Sequence, residues 1–419
     1  MTGRCLKSIT ADSLTGAVFA LEGMRNAVVL LNGPMGCRFY HSTTSRFLMT
    51  RPLLKLPAGQ DGTREPVDYN TLNDWFFRQE RVPCTCLDGY DYVYGTKEKV
   101  REALTFIRDS VDMDLLAIVN SPGACLIGDD LKETARSVLG GTRTLMVESP
   151  GLSGTFEEGW SRAATALLEQ AGTALWRERM PEKRTGKRVN LLGLSVWQRY
   201  FEGDLAELKR LFALCGAEVT AALCADCSVE ELARMPEADL NVVLDPAAGT
   251  EAARYLERVC GTPFAVFPGF PVGFSATERM FEEIGKMLGT SCEALLEESG
   301  RARALAWYKI EQVYATSGKP RGVTFFVGGS AAQKQAYESF LTEYLGMEPS
   351  DPERAELVFG DANLISEMML RNRRFCGIEI SLPGMGYIDL VPKTHMGIRG
   401  ALFLIEQVLN GLMSRLQDE

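Results

Sequence analysis

The sequence predicts an α/β protein with three domains, each a parallel sheet flanked by helices. The length of 419 residues, at roughly 150 residues per domain, indicates two or three domains. A composition of 46% hydrophobic and 24% charged residues is typical of a globular protein with packed cores. Three stretches of the chain each open with a short apolar run followed by a helical pattern, which is typical of parallel, Rossmann-like α/β units.

The first stretch contains two apolar runs that predict buried parallel strands. Residues 27–31 (AVVLL) lead into a Gly-Pro turn at 32–36, and residues 115–119 (LLAIV) end in a second turn at 120–123. Helical patterns predict a helix at 14–21 before the first strand and another at 130–139 after the second.

The second and third stretches follow polar breaks in the chain. The segment 179–186 predicts a linker, and the elements expected after it are a strand at 187–194, a helix at 205–214, a strand at 218–220, a helix at 229–233 and a strand at 241–244. A long helix at 292–314 is expected to bridge to the third stretch, which has a strand at 322–327 and a helix at 400–416. These elements place the predicted domains at 1–185, 186–290 and 291–419.

The charge balance and the apolar runs exclude several classes of protein. Lys and Arg total 45 against 55 Asp and Glu, a net charge of -10, so we do not expect the chain to bind nucleic acid. The first twenty residues lack the apolar core of a signal peptide, and the longest apolar runs fall far short of the roughly 20 residues that span a bilayer. We therefore expect a cytoplasmic protein without a membrane segment.

Eleven cysteines stand beside only two histidines, which points to thiolate chemistry. Cys37 follows the first predicted strand in a Gly-Pro turn, where an isolated cysteine would ordinarily serve packing. However, Cys5, Cys84, Cys86 and Cys125 also lie in the first third of the chain, most of them at predicted strand ends or turns. Thiolates gathered at strand ends suit an iron–sulfur cluster, which normally takes four ligands.

An ordered set of short motifs connects the chain to a known family. The first are Cys5 and the segments 16–17 (GA), 33–37 (GPMGC), 91–95 (DYVYG) and 126–130 (LIGDD). They continue in the segments 147–154 (VESPGLSG), 203–211 (GDLAELKRL), 238–241 (ADLN), 261–264 (GTPF), 271–273 (PVG) and 345–349 (LGMEP). In this order the sequence resembles nitrogenase component 1 and its relatives, which include nitrogenase alpha and beta subunits, cofactor-assembly scaffolds and subunits of dark-operative protochlorophyllide reductase.

The resemblance implies a three-domain subunit that holds a metal–sulfur cluster, expected to be [4Fe-4S] and shared at a subunit interface. It also implies electrons from a separate ATP-dependent iron protein, and either a homodimer or a heterotetramer with a related subunit. Cys5 and Cys37 match the first two cluster cysteines of the family. At the third position this chain has Ser121 and Pro122, so Cys125, Cys84 and Cys86 are the candidates, the last two because they precede the family's D-x-V-x-G strand.

The chain departs from nitrogenase at two positions that hold its iron–molybdenum cofactor. Where the resemblance places the cofactor cysteine, this chain has Asp245, a hard ligand that suits iron–sulfide poorly. Where it places the cofactor histidine, the chain has Met396, with His395 one residue earlier. We expect no iron–molybdenum cofactor and no reduction of dinitrogen.

Several other motifs have a structural interpretation that we favour over a chemical one. The CxxC of Cys224 and Cys227 precedes a capping box, the Asp pair at 129–130 can cap a helix, and the double glycine at 328–329 can form a tight turn. His41 is expected on the surface. The cysteines expected to serve packing are Cys215, Cys260, Cys292 and Cys376.

Three hypotheses for the function follow. The leading one is an iron–sulfur oxidoreductase subunit that reduces an unidentified substrate, and the alternative is a cofactor-assembly scaffold or binding protein on the same fold without turnover. A glycosyltransferase with two Rossmann-like domains fits the strand–helix alternation alone. No GxxxxGK[ST] motif occurs in the chain, so any ATP that drives the reaction must be bound by a partner.

Overall fold

The computed structural model describes residues 11–38, 53–54, 82–148, 154–177, 186–371, 374–384, 389 and 391–417. The chain divides into two compact units. The first unit comprises Ala11–Met180 and Leu223–Pro236, and the second unit contains Pro181–Ala222 and Glu237–Glu419. None of the helices in the described ranges combines the length and apolar composition that a membrane crossing requires.

A parallel sheet with strand order β1-β4-β5 forms the centre of the first unit. A short antiparallel pair, β2 with β3, lies outside it. The elements in chain order are α1 (Ser13–Glu22), β1 (Ala27–Asn32), a 3-10 helix (Met35–Arg38), β2 (Leu53–Leu54), α2 (Gly89–Tyr94), α3 (Lys97–Ser110), β3 (Val111–Asp112), β4 (Leu115–Asn120), α4 (Pro122–Ile127), α5 (Leu131–Leu139), β5 (Thr144–Glu148), α6 (Phe156–Leu167), a π-helical turn (Leu168–Gly172) and α7 (Thr173–Trp176).

The apolar runs of β1 and β4 explain this sheet. Every residue of both strands is buried, as expected for parallel strands with both faces covered. One face packs on α3 and α5 through a core that includes Val28, Leu30, Leu104, Ile118 and Leu131. On α1, the close approach of α6 requires Gly16, because a Cβ there would lie 1.9 Å from the carbonyl oxygen of Phe156.

A second parallel sheet, with strand order β7-β6-β8-β9, occupies the middle of the chain. The elements are β6 (Arg188–Leu192), α8 (Phe201–Leu214), β7 (Glu218–Ala222), α9 (Val229–Arg234), a 3-10 turn (Met235–Glu237), β8 (Leu240–Val243), α10 (Pro246–Cys260), β9 (Phe264–Val266) and α11 (Phe274–Leu288). All of these strands and helices except α9 belong to the second unit, because Leu223–Pro236 groups with the first.

A third parallel sheet, with strand order β11-β10-β12-β13, completes the second unit. Its elements are α12 (Glu293–Ser317), β10 (Thr324–Val327), α13 (Ala331–Leu345), β11 (Glu348–Pro349), β12 (Leu357–Gly360), α14 (Ala362–Leu370), β13 (Cys376–Glu379) and α15 (Gly397–Gln417). Three parallel sheets flanked by helices confirm the predicted fold class.

One expected strand is wrong. The segment 91–95, which resembles the family's D-x-V-x-G strand, lies instead in α2 and its C-cap. Asp88 begins this helix because its carboxylate accepts hydrogen bonds from the backbone N–H groups of Tyr90 and Asp91. The Asp91 carboxylate in turn accepts from the N–H of Asp88 at 2.8 Å, which completes a capping box.

Candidate functional site

The carboxyl ends of β1 and β4 meet at one edge of the first sheet. The two strands run parallel and in register, so that Asn32 lies opposite Asn120 at their ends. The Asn32 side-chain amide donates hydrogen bonds to Asn120 Oδ1 at 3.0 Å and to Thr96 Oγ1 at 3.3 Å. This buried amide network fixes the edge from which the next residues of both strands leave the sheet.

Cys84 is held beside this edge by a short backbone ladder. The N–H of Leu31 donates to the carbonyl of Pro83 at 2.8 Å, and the N–H of Thr85 donates to the carbonyl of Leu31 at 3.0 Å. The Thr85 hydroxyl donates to Asn32 Oδ1 at 2.9 Å. Cys84 Sγ consequently lies 3.2 Å from the carbonyl oxygen of Gly33.

Cys37 reaches the same glycine from the other side of the turn. It lies on the 3-10 helix that follows β1, and its N–H donates to the carbonyl of Pro34 at 3.1 Å. A Cβ placed on Gly33 would lie 3.8 Å from Cys37 Sγ and 2.7 Å from Ser121 Cβ. Gly33 is therefore surrounded by Cys37, Cys84 and Ser121, and a larger side chain does not fit there.

Cys86 adopts a backbone conformation that is uncommon for a cysteine. Its φ is +52°, in the left-handed region that favours glycine and that is frequently found at functional sites in other residues. Its N–H lies 3.4 Å from Cys84 Sγ, where it can donate to a thiolate. The Lys99 ammonium donates to the Cys86 carbonyl at 3.4 Å and to Asp91 Oδ2 at 2.5 Å, so it ties this loop to α2.

Cys125 approaches the edge from α4, the helix that follows β4. Ser121 caps this helix, with Pro122 at its first position. The N–H of Cys125 donates to the carbonyl of Ser121 at 2.9 Å, and its Sγ lies 3.8 Å from the carbonyl oxygen of Asn120. Four half-buried cysteines thus lie in the segments around the ends of β1 and β4: Cys37, Cys84, Cys86 and Cys125.

In the absence of a metal, Cys37 favours the neutral thiol over the thiolate. Burial raises the pKa of this thiol above its usual 9.0, and the negative charge of Asp12 raises it further. A metal that binds here must therefore displace a proton, which makes binding dependent on pH.

The chemistry and position of these cysteines fit a metal–sulfur cluster. Soft thiolates from one chain at one sheet edge are the donor set that iron–sulfur clusters use, and two of these cysteines, Cys37 and Cys84, lie beside Gly33. Within the described ranges, however, no three Cys, His, Asp or Glu side chains converge as they do around a single metal ion. Cys5 and His41 lie outside the described residues. The described cysteines therefore match an iron–sulfur cluster in ligand type and in their position at the sheet edge, but their side chains do not converge on one point.

The LIGDD segment has a structural role next to this site. Asp130 caps α5 and accepts from the N–H of Lys132 at 3.1 Å, as the capping interpretation predicts. Asp129 accepts from the backbone N–H of Thr96 at 2.5 Å and from its hydroxyl at 3.0 Å. Because Thr96 also accepts from Asn32, Asp129 supports the amide network at the ends of β1 and β4.

The CxxC motif is part of the packing of the first unit. Cys224 and Cys227 are fully buried, and burial raises the pKa of both thiols. The predicted capping box at the start of α9 is confirmed, because Ser228 Oγ accepts from the N–H of Glu231 at 3.0 Å and Glu231 accepts from the N–H of Ser228 at 2.9 Å. A low-pKa thiolate, which a redox CxxC needs, is not favoured at this position.

In the second unit, the residues that the resemblance places at the two nitrogenase cofactor positions have structural roles. Asp245 caps α10, where it accepts from the N–H of Ala247 at 3.0 Å. His395 is buried, with Nδ1 2.7 Å from the hydroxyl of Tyr337 and Nε2 2.6 Å from Oε1 of Gln407. Both ring nitrogens are therefore engaged in hydrogen bonds, and Met396 beside them is buried.

A buried carboxylate holds the loop that carries His395. Asp204 Oδ1 accepts from the hydroxyl of Thr394 at 2.7 Å and from the N–H groups of His395 and Met396 at 2.9 and 3.2 Å. Burial raises the pKa of Asp204 to about 6, although these hydrogen bonds lower it, and burial lowers the pKa of His395 to about 4. A cavity of only about 10 Å³ lies next to Asp204 and is lined also by Gln198. This cavity has room for no more than a water molecule.

Sequence patterns did not reveal the roles of Lys99 in the first unit and of Asp204 in the second. Lys99 lies on α3, thirteen residues beyond Cys86, and nothing in its spacing indicates the contact that it makes. Asp204 falls within the GDL segment of the resemblance, but its partners lie about 190 residues away, so only the fold brings them together. The Gly33 turn, by contrast, was recognisable from its composition.

Comparison with known proteins gives a consistent result. A family model described as nitrogenase component 1 type oxidoreductase matches residues 13–351. A subunit of light-independent protochlorophyllide reductase from Synechococcus sp. (strain CC9605) is 29% identical over 342 residues, which cover 79% of this chain and 58% of that protein. The same subunit from Halorhodospira halophila (strain DSM 244 / SL1) is 26% identical over 341 residues, which cover 80% of this chain and 57% of that protein.

The chain therefore spans somewhat less than three fifths of the length of these curated relatives. A solved structure described as "Nitrogenase Cp1 at pH 6.5" superposes with a TM-score of 0.75 at 17% identity. That superposition covers 100% of this chain and 96% of the other, and it shows that the two share a fold.

Proposed function

The chain belongs to the nitrogenase component 1 type oxidoreductase family, and from this premise we propose that it is an iron–sulfur oxidoreductase subunit that reduces a substrate other than dinitrogen. The observation that carries the proposal is the gathering of Cys37, Cys84, Cys86 and Cys125 at one edge of the first sheet. Four cysteines around the ends of two adjacent strands exceed what packing requires, and Cys86 retains a strained backbone there.

We propose that Cys5 and Cys37 are ligands of a [4Fe-4S] cluster and that the remaining thiolates come from the candidates Cys84, Cys86 and Cys125. When bound, such a cluster supplies one-electron transfer. The chain contributes thiolates, the Cys86 N–H beside Cys84 Sγ, and the tight Gly33 turn beside Cys37 and Cys84. Hydrogen bonds to ligand sulfur atoms are among the means by which proteins adjust the potential of a cluster.

Electrons are proposed to come from an ATP-dependent iron protein, because the chain itself has no GxxxxGK[ST] motif. The relatives are named as a subunit, and we propose that this chain likewise acts in an oligomer, either a homodimer or a heterotetramer with a related subunit. We also propose a cytoplasmic location and domains at 1–185, 186–290 and 291–419, each with one parallel sheet.

We propose a substrate other than dinitrogen because the residues that the resemblance places at the iron–molybdenum cofactor have structural roles in the second unit. Asp245 is a helix cap, and both ring nitrogens of His395 form hydrogen bonds. The relatives are named for protochlorophyllide, so a conjugated tetrapyrrole is the first substrate class to test.

A scaffold that holds a cluster without turnover is the second candidate. The observation that favours it is the small cavity beside Asp204, because a chain that reduces a large substrate in this part of the second unit would need more space.

Electron transfer from an iron protein separates the two candidates. The anaerobically purified chain would be mixed with an iron protein from the same genome, with and without ATP, and the reduction of its cluster followed by electron paramagnetic resonance. Cluster reduction that requires ATP, followed by reoxidation when a tetrapyrrole is added, is the result expected for the reductase. Reduction without any substrate-dependent reoxidation supports the scaffold, and a cluster that the iron protein never reduces contradicts the reductase.

A further inference from the structure

A groove between α11 and α13 in the second unit has the form of a small-molecule site. It begins with a cavity of about 210 Å³ at the loop that follows β9 and continues into a smaller one of about 50 Å³. The two share Ala276, Arg279 and Ser339 in their linings, so they form one elongated groove. Loops at the carboxyl ends of parallel strands are where α/β proteins commonly bind ligands.

The floor of the groove is apolar and partly aromatic. Phe267, Phe270, Met280 and Ala336 line the larger part, and each is less than a tenth exposed. In the smaller part the rings of Phe340 and Tyr344 stack with their planes 11° apart. A flat aromatic body suits such a surface because ring faces can stack on it and exclude water.

The wall of the groove is rigid. Gly269 packs against the first turn of α13 so closely that a Cβ on it would lie 2.6 Å from the carbonyl oxygen of Ala332. The buried hydroxyl of Thr277 lies 3.1 Å from the carbonyl oxygen of Pro271 and 2.6 Å from that of Gly273, which ties the loop to α11. A preformed wall lowers the entropy cost of binding.

An exposed cation on α11 lines both parts of the groove and has no hydrogen-bonding partner among the described residues. This cation is Arg279, and it forms no hydrogen bond or ion pair with any residue that the structure describes. The neighbouring carboxylate of Glu278 forms hydrogen bonds with Arg303, at 2.7 and 3.1 Å, and with Ser299, and it interacts with Arg279 only through its charge. Two acidic residues, Glu283 and Glu343, line the opposite parts of the groove and disfavour further negative charge there.

We propose that this groove binds an aromatic monocarboxylate, with the ring system on the phenylalanine floor and the carboxylate on Arg279. An Arg–carboxylate pair can form two parallel charge-assisted hydrogen bonds, which fixes the orientation of the ligand. The site is independent of the cysteines of the first unit, and the proposal does not depend on the proposed reductase activity.

Binding of 2-naphthoate to the full chain, measured by titration calorimetry, tests the proposal, with neutral 2-naphthamide as the matched ligand. We expect one naphthoate per chain and roughly tenfold weaker binding of the amide, because a hydrogen bond to a charged group exceeds a neutral one by about that factor. Arg279→Met should abolish this preference, whereas Arg254→Met, an exposed arginine on α10 outside the groove, should preserve it. Ser339→Trp should fill the groove and weaken the binding of both ligands.

Three results would overturn the proposal. They are equal affinity of the unaltered chain for the acid and the amide, a naphthoate preference that survives Arg279→Met, and unchanged binding in Ser339→Trp. The absence of any binding at millimolar naphthoate would also contradict it. Circular dichroism of each variant confirms that its fold is retained, and iron content provides a separate readout, since this site holds no cluster ligand.

Discussion

At the scale of single residues, the cysteine site depends on a few groups that bring separate segments to one point. Gly33 lies beside Cys37 and Cys84, and the side chain of Ser121 leaves no room for a larger residue at its position. Lys99 fixes the loop after Cys86 because its ammonium group donates hydrogen bonds to the carbonyl of Cys86 and to the carboxylate of Asp91. None of these three is a proposed ligand, yet each determines where the thiols lie.

Gly33→Ala tests the close approach at the turn. The added methyl group would lie 2.7 Å from Ser121 Cβ, which cannot rotate away, so we expect a loss of about 1–3 kcal/mol of stability and a lower iron content. Gly36→Ala, three residues along the same turn, meets no atom within 4 Å and is the matched control. Equal thermal stability and iron content of the two variants would contradict the account of this turn.

Lys99→Met tests the positioning role of the ammonium group. Removal of a positive charge beside the Cys86 loop should make reduction of a bound cluster harder, so its midpoint potential should become more negative. The loss of the contacts to Asp88 and Asp91 should cost no more than about 1 kcal/mol of stability. Lys97→Met, an exposed position two residues earlier on the same helix, is the control, and an identical potential in both variants would rule out the role.

At the scale of elements, the candidate site lies at the strand ends, and side-chain caps determine where several of the helices begin. Apolar runs predicted β1 and β4 almost to the residue, because parallel strands buried on both faces have a distinctive composition. The helix predicted at 205–214 begins earlier in the structure, at Phe201. Gly203 lies in its first turn, where it packs closely against the backbone at Lys393. That contact joins positions far apart in the sequence, so local patterns could not indicate it.

The candidate site was predictable in part for the same reason. Strand ends and Gly-Pro turns are local features, and they directed attention to Cys37, Cys84, Cys86 and Cys125. The helical state of 91–95 was missed because the Asp88 capping box outweighs the tyrosine and valine residues that favour a strand. The pairing of Asp204 with the loop before α15 depends on long-range packing and has no local signal.

The buried pair of Asp204 and His395 should reveal itself in the pH dependence of stability. Between about pH 4 and pH 6 the folded chain binds more protons than the unfolded chain at Asp204 and fewer at His395, so their contributions oppose each other. Relative to the unaltered protein, the free energy of unfolding of Asp204→Asn should therefore rise with pH across this window, by about 3 kcal/mol, and that of His395→Gln should fall.

Chemical denaturation at several pH values measures both differences. The charged neighbours Glu207, Arg199 and Asp389 remain in both variants, so they cancel to first order in the comparison. Difference curves that are flat with pH, or that slope in the same direction for the two variants, would show that these groups do not titrate as the burial implies.

At the scale of the whole molecule, the two units divide the proposed work. The first unit places four cysteines around one sheet edge, while in the second unit Asp245 caps a helix and His395 forms buried hydrogen bonds. The chain thus combines a family fold and one candidate metal centre with a second unit that has its own, independent groove. This combination favours electron transfer without an iron–molybdenum cofactor.

The central claim is that the gathered cysteines hold an iron–sulfur cluster, and iron and acid-labile sulfide per chain, after anaerobic purification and reconstitution, test it most directly. The unaltered chain should bind both in equal amounts, and Cys376→Ser, which removes a half-buried thiol of the second unit, should do the same. The combined replacement of Cys37, Cys84, Cys86 and Cys125 by Ser should abolish both. An unaltered chain that stays free of iron and sulfide, or a fourfold variant that binds them as well as the Cys376→Ser control does, would contradict the account.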